Sequence, residues 1–455
     1  MAGARDGSGG RAGHRPRPPA DWTESQAEDH LHSLELFGMR FGLDRMRRMM
    51  TALGSPQRRF DSIHVLGTNG KTSTTLMIAA ILERHGLRTG AYTSPHLASY
   101  RERVQVAERD LEGGAFAAAI ARAAWAAERV NRTLIDDDHV TQFELLTAAA
   151  FWAMAERDVR VAVVEAGLGG RYDATSVVDS SVLVLSSVGL EHTRWLGPKL
   201  SDIAEEKLAV VRPGATLIHG ADLAPQARAV ADRVARERGA RIHCVGDGGE
   251  TTTTTTPPPL RALGSFQRRN FALARLAAQV YLKQVAIEPS DQAVRDAAAS
   301  TVVRGRMQII EQEPLTVLDG AHNPDAVAAL VDSLPDVLAG RPLAVVLGVL
   351  EDKDAAGMLG ALLGACERAW FTAPSSSRAL SPAALESLAR QLGFDAAVSE
   401  PRPQRALSEA RRWARERGGA VLATGSVYLV GELLSELDAS GTLSGPQARP
   451  RRSAR

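Results

Sequence analysis

The segment Gly67-Thr-Asn-Gly70-Lys71-Thr72-Ser73 follows the apolar run Ser62-Ile-His-Val-Leu66 directly and leads into a helical pattern that stops near His85-Gly86. That order constrains the fold more than any other feature. A buried strand has to end, the backbone has to turn, and a helix has to start at about residue 71. Glycines at 67 and 70 let backbone N–H groups approach phosphate oxygens, and Lys71 offers a point charge to a β- or γ-phosphate. The hydroxyl of Thr72 or Ser73 can join a Mg2+ shell. The loop is shorter than a full Walker loop, which has glycine where Val65 stands. An ordinary glycine turn with a solvated lysine is the competing reading.

The pattern of strand followed by helix recurs along the chain. Strands are expected at Ala91–Thr93, at the valine-rich Val159–Glu165, at Ser181–Ser186 and at Ala215–His219. Helices are expected over Trp22–Leu53, 71–86, 114–130, 140–157 and 200–210. A second series begins near residue 300, with strands at Leu315–Asp319, Leu343–Leu347, Ala369–Thr372 and Ala420–Ala423 and helices at about 325–333, 355–366, 382–392 and 405–417. Strands alternating with helices define an α/β chain with parallel sheets. Expected divisions are a disordered Arg/Pro-rich tail at 1–20, an N-terminal unit at 21–300, a C-terminal unit at 301–438 and a second tail at 439–455. Residues 247–259 carry six threonines and three prolines and read as a low-complexity surface insert.

Ligands of open α/β sheets gather at the carboxyl ends of strands. Glu165 falls at such an end, followed by Ala-Gly-Leu-Gly-Gly170, and is a candidate Mg2+ ligand. Its alternative is a strand-end glutamate that meets only water. His192, in Gly189-Leu-Glu-His-Thr193, and Ser94, in Thr93-Ser-Pro-His96, stand at two more strand ends. A neutral imidazole and a hydroxyl can both bind a metal, although oxygen ligands are usual for Mg2+. Lys207, in Ile203-Ala-Glu-Glu-Lys207, reads from spacing alone as a surface lysine on a helix.

Bulk composition removes several function classes. The 455 residues carry 54 Lys plus Arg against 53 Asp plus Glu, so no charge excess marks a nucleic-acid or membrane surface. Aromatics are 5%, too few for base-stacking platforms, and no apolar run is long enough to span a bilayer. Two distant cysteines, Cys244 and Cys366, exclude a disulfide framework and fit a reducing, cytoplasmic compartment.

The ordered set of motifs resembles the folylpolyglutamate synthase/dihydrofolate synthase family of the Mur ligase superfamily. The resemblance runs through Gly67–Ser73, Tyr92-Thr-Ser-Pro-His-Leu97, Thr141-Gln-Phe-Glu144, Glu165–Thr175, Gly189–Thr193 and Ile203–Lys207. It continues through Gln267-Arg-Arg-Asn270, Gly305-Arg306, Asp319-Gly-Ala-His-Asn-Pro324 and Thr424-Gly-Ser426. It implies a parallel-sheet phosphate-loop domain of Mur ligase type plus a smaller Rossmann-like C-terminal domain.

It also implies roles. ATP would be held by Gly67, Thr68, Asn69, Gly70, Lys71, Thr72 and Ser73, with Asn270, Arg306 and Asp319. Ser94, Glu165, His192 and a carbamylated Lys207 would bind one or two Mg2+ ions, and the resemblance leaves room for K+ as a further cation. Phe143, Glu144, Tyr172 and Asp173 would hold a folate-type acid, while His322 and Ser426 would position the incoming glutamate. Lys71, Lys207, His192 and His322 would be the catalytic set. Substrates would be small molecules met by a monomer, with no nucleic acid or membrane.

The sequence departs from the family at several places. Thr72 replaces glycine, Glu191 replaces aspartate, Ser176 replaces asparagine, Phe266 replaces histidine and Arg304 replaces proline. Leu208-Ala-Val210 follows Lys207 in place of Ala-Gly-Ile. Two other readings follow from the same residues: a Mur-type paralogue acting on a different carboxylic acid, and a phosphate-loop ATPase working on a protein partner.

Overall fold

The computed structural model describes residues 21–34, 41–135, 138–246 and 258–439. The tail expected at 1–20, that at 439–455 apart from its first residue, and the insert apart from 258–259 lie outside the described residues.

The stretch Trp22–Leu53 is two helices rather than the one expected: α1 (Glu24–Ser33), capped by Thr23, and α2 (Asp44–Ala52). Gly42 sits between them at φ 132°, a conformation foreign to a continuing helix. Leu36 and Phe37 lie outside the described residues. Next come β1 (Asp61–Leu66), α3 (Lys71–Glu83), β2 (Thr89–Tyr92), β3 (Val104–Val106) and β4 (Arg109–Asp110). Then follow α4 (Gly113–Asn131), α5 (Gln142–Ala155), β5 (Val161–Glu165), β6 (Val182–Leu185), α6 (Thr193–Leu196) and α7 (Leu200–Leu208). The first unit closes with β7 (Thr216–Gly220), α8 (Pro225–Arg238), β8 (Arg241–Val245), α9 (Ser265–Gln284) and α10 (Asp291–Ser300).

Their strands form one sheet in the order β4-β3-β2-β5-β1-β6-β7-β8. Six neighbouring strands are parallel, and β3 and β4 add an antiparallel edge. Val, Ile and Leu crowd the central strands because helices cover both faces. On one face α4 and α5 pack, and on the other α3 and α9 with Ile63, Val65, Val163 and Val184 between them. Full burial of each such side chain contributes about 1.5–3 kcal/mol.

The second sheet is built from β9 (Gln308–Gln312), β10 (Leu315–Leu318), α11 (Pro324–Val331), α12 (Leu334–Leu338), β11 (Leu343–Leu347) and α13 (Ala355–Leu362). It is completed by β12 (Arg368–Phe371), α14 (Pro382–Gln391), β13 (Ala397–Ser399), α15 (Pro403–Arg417), β14 (Ala420–Thr424) and α16 (Val427–Ala439). The strand order is β13-β12-β11-β14-β10-β9, parallel except for β9.

Strand order decides where chemistry can sit. β1 lies between β5 and β6, and β5 lies beside β2. The segments leaving their carboxyl ends, at 67–71, 166–173, 186–192 and 93–96, are therefore neighbours. Position 65 on β1 is level with Glu165 on β5.

Candidate active site between the two sheets

A cleft of about 860 Å³ opens where those strand ends face the second sheet. The first sheet lines it with residues 68–73, Ser94, Glu165 and His192; α9 adds Asn270; the second sheet adds Arg306, Asp319 and His322. The glycines of the loop are required by contact as well as by conformation. Gly67 has φ 147° and a Cβ there would strike Ser186 Oγ; Gly70 has φ 83° and a Cβ would strike Asn270 Oδ1. Gly70 also leads into α3, so Lys71 opens that helix and its Nζ donates back to Thr68 O at 3.0 Å.

Glu165 is the best-defined group on the floor. Its carboxylate is 1% exposed and accepts from Thr72 Oγ1 at 2.8 and 3.1 Å and from Ser94 N at 3.2 Å. Burial pushes its pKa up, opposed by Lys71, Thr72 and Ser94. A desolvated carboxylate flanked by hydroxyl-bearing Thr72 and Ser94 suits a hard divalent cation. Among the described residues no three His, Cys, Asp or Glu side chains form a ready cage. The donor set therefore fits Mg2+, which keeps waters and takes phosphate oxygens instead of demanding an all-protein shell.

Lys207 corrects the reading from spacing. It is 4% exposed, and its Nζ donates to Gly67 O at 2.8 Å, directly under the phosphate loop. Burial, helped by Lys71, lowers its pKa to about 7. His192 lies at the start of α6 with φ 53°, and burial lowers its pKa to about 4 against the pull of Glu191.

The opposite wall is equally fixed. Asp319 accepts from Met307 N at 2.8 Å and Ala321 N at 2.7 Å, and burial raises its pKa against the charge of Arg306. His322 Nδ1 donates to Gly320 O at 2.9 Å, and its Nε2 lies 3.3 Å from Glu191. Lys353 Nζ reaches the same Glu191 oxygen at 2.9 Å. Burial opposes ionisation of Glu191, but His322 and Lys353 outweigh it and hold the carboxyl well below its usual range. Lys353 escaped the sequence reading because Glu351-Asp-Lys-Asp354 looks like a solvated charge run. Its place just beyond the carboxyl end of β11 was the available signal.

Other predicted residues stand outside the cleft lining. Glu144 is buried, and its oxygens meet Arg45 Nε at 3.1 Å and close the capping box of α5 with Thr141. Phe143 packs under Gly167 beside Asp173, Tyr172 is half-exposed, and buried Ser426 accepts from Tyr428 N at 3.1 Å.

Asp173 is held by Leu168 N at 2.8 Å, Thr175 N at 3.0 Å and the Thr175 hydroxyl. Having given its proton to Asp173, Thr175 Oγ1 accepts from His64 Nε2 at 2.9 Å. Burial, then Arg212, pushes the His64 pKa from 6.5 down to about 4. The unfolded chain binds this proton near pH 6.5 and the folded chain only near 4. Stability therefore falls as pH drops through that window, by on the order of 3 kcal/mol in full. A His64→Gln variant, which keeps a donor toward Thr175, should lose this dependence. Urea unfolding at several pH values between about 7 and 5 checks it, and equal slopes for both proteins contradict it.

A two-sheet chain with a shortened phosphate loop and a cleft closed by Arg, Asp and His from its second unit has the layout of the Mur ligase fold. Residues 305–427 match the family described as Mur ligase, glutamate ligase domain. Over 386 residues the chain is 34% identical to folylpolyglutamate synthase of Lacticaseibacillus casei, covering 81% of this chain and 89% of that one. It is 32% identical over 434 residues to the dihydrofolate synthase/folylpolyglutamate synthase of Escherichia coli strain K12, covering 93% and 96%. Mycobacterium tuberculosis folylpolyglutamate synthase complexed with ADP superposes with a TM-score of 0.84 at 28% identity, over 93% of this chain and 99% of that one. E. coli FolC in complex with DHPP and ADP superposes at 0.81 and 29% identity, over 93% and 100%. The chain belongs to the folylpolyglutamate synthase/dihydrofolate synthase family. Among the described residues no helix is long and apolar enough to cross a membrane.

Proposed function

We propose that this protein is an ATP-dependent ligase that joins L-glutamate to a folate-type acid, dihydropteroate or a reduced folate, through an acyl phosphate. The observation that carries the reading is buried Glu165. It is bridged to the Thr72 hydroxyl of the phosphate loop and faces Arg306, Asp319 and His322 of the second unit across one cleft. Membership of the family and the ADP-bound relatives support ATP as the phosphoryl donor.

A carboxylate and an ammonium do not condense at neutral pH without activation, and phosphoryl transfer supplies it. The loop backbone and Lys71 cradle and neutralise the triphosphate. Glu165, Thr72 and Ser94 would hold Mg2+, with His192 and carbamylated Lys207 at a second ion; such ions screen the repulsion between the two reacting anions. K+ is a further cation that the family resemblance allows. The acceptor carboxylate attacks the γ-phosphorus, the bond to ADP breaks, and an acyl phosphate results. The glutamate amine then adds to the acyl carbon, loses its proton, and phosphate leaves. Asp173 and Phe143 would hold the acceptor, and His322 the incoming amino acid. Arg306 and Asp319 would bind the nucleotide from the second unit, so closure completes the site.

The test incubates the purified protein with ATP, Mg2+ and glutamate, adding dihydropteroate, tetrahydrofolate or no acceptor, and follows phosphate release and product mass. Phosphate release that depends on an acceptor, with a product one glutamyl residue heavier, is expected. Release that is equally fast without any acid would favour an ATPase acting on a protein, and no glutamylated product with either pterin would favour another acid.

A further inference from the structure

One side-chain pair ties the phosphate loop to the segment after β10, in a contact that the scheme above does not use. Asn69 Nδ2 donates to Asn323 Oδ1 at 3.2 Å, and Asn323 Nδ2 donates back to Asn69 Oδ1 at 2.9 Å. The partners are 254 residues apart in sequence. Asn323 is 6% exposed, while Asn69 is half-buried at the cleft wall, so the exchanged pair is partly shielded from water. At each end the pair is anchored. Asn323 Oδ1 also accepts from Ala326 N at 2.9 Å and so caps α11. The backbone of Asn69 donates to Ser187 Oγ at 2.9 Å and accepts from Ser186 Oγ at 2.7 Å. Beside it the Asp325 carboxylate, in the first turn of α11, lies against Gly189. Opening the cleft at this point has to break both side-chain hydrogen bonds together.

We propose that Asn323 is a positioning residue that holds the cleft shut over the phosphorylated acid, with Asn69 as its partner. The inference rests on the ligase reading given above. The same short stretch carries Asp319 and His322, so the pair keeps that wall against the phosphate loop while the acyl phosphate waits for the amine. If the wall swings away, water enters, adds to the acyl carbon and expels phosphate, and the acid is regenerated. ATP is then spent on hydrolysis without an amide bond.

Two variants separate the bridge from the helix cap. Asn323→Asp and Asn323→Ser both keep an oxygen that caps α11, but the first cannot donate to Asn69 and the second is too short to reach it. The wild-type enzyme should release about one phosphate per amide bond, and both variants about threefold more, with the ATP KM within about twofold. A merely structural role would lower activity or Tm and leave that ratio unchanged, and an unchanged ratio in both variants overturns the proposal. Small-angle scattering with Mg2+ and a non-hydrolysable ATP analogue reads closure without requiring ligation. Both variants should give a wider distance distribution than wild type. If wild type forms no amide but the variants still widen, the bridge stands and the ligase reading fails. Variants as compact as wild type overturn the bridge itself.

Discussion

Lys71→Ala is expected to fold as wild type does and to lose ligation by roughly 10³-fold in kcat/KM. The side chain contributes little to the fold. It is half-buried, it opens α3, and its amine donates a hydrogen bond of 3.0 Å to the Thr68 carbonyl. Alanine is the best helix former, so α3 should start where it does now. The chemistry is different. Charge builds on the γ-phosphate as the acceptor attacks, in a cleft where the fixed cation is worth several kcal/mol more than it would be in water. Circular dichroism and Tm check the fold, and product formation checks the reaction. Turnover within a fewfold of wild type would remove the loop from the mechanism.

Lys207→Ala should cost about 10²-fold or more and regain part of that loss when acetate or another short carboxylate is added. The geometry makes the lysine an unusual one. Its amine is enclosed, hydrogen-bonded to the Gly67 carbonyl, and held to a pKa of about 7. A large share is therefore the free amine at neutral pH, which is the form that adds carbon dioxide to give a carbamate and a proton. That modification turns a buried cation beside Lys71 into an anion, which suits a second metal position and replaces the repulsion from Lys71 with attraction. Mass spectrometry of the native protein under bicarbonate should show the added mass, and it should vanish in the variant. Full activity without rescue would leave Lys207 as a support for the phosphate loop only. A loss with no rescue by any small acid would say the same of the carbamate.

The two predictions differ in how far sequence alone reaches them. Lys71 was legible because β1, the glycine turn and α3 are local and consecutive, and each link has its own signal. The same holds for β5, β6, β11 and β14, whose apolar runs fit strands buried on both faces. Lys207 was not legible from spacing, since Glu-Glu-Lys on an amphipathic helix looks solvated; its burial depends on Gly67, which lies far away in sequence. The β3–β4 hairpin was missed because its turn places Ala107 and Glu108 at φ 50° and 60°, without the Asn or Gly that normally mark such turns. Edge strands β9 and β13 are only partly buried, and β13 has three residues, so neither gave a strong pattern. The longer N-terminal helix failed because the apolar spacing runs on past the points where α1 ends at Ser33 and α2 begins at Asp44. Asn323 was visible as part of a motif, but its partner in the phosphate loop could be seen only once the two sheets were in place.

The most direct measurement follows an oxygen atom. The acceptor acid is prepared with heavy oxygen in its carboxylate and carried through one round of ligation with ATP, Mg2+ and glutamate. Attack of that carboxylate on the γ-phosphate predicts that the released inorganic phosphate carries one heavy oxygen, while ADP carries none. Phosphate free of the label, or label appearing in AMP, would contradict the account.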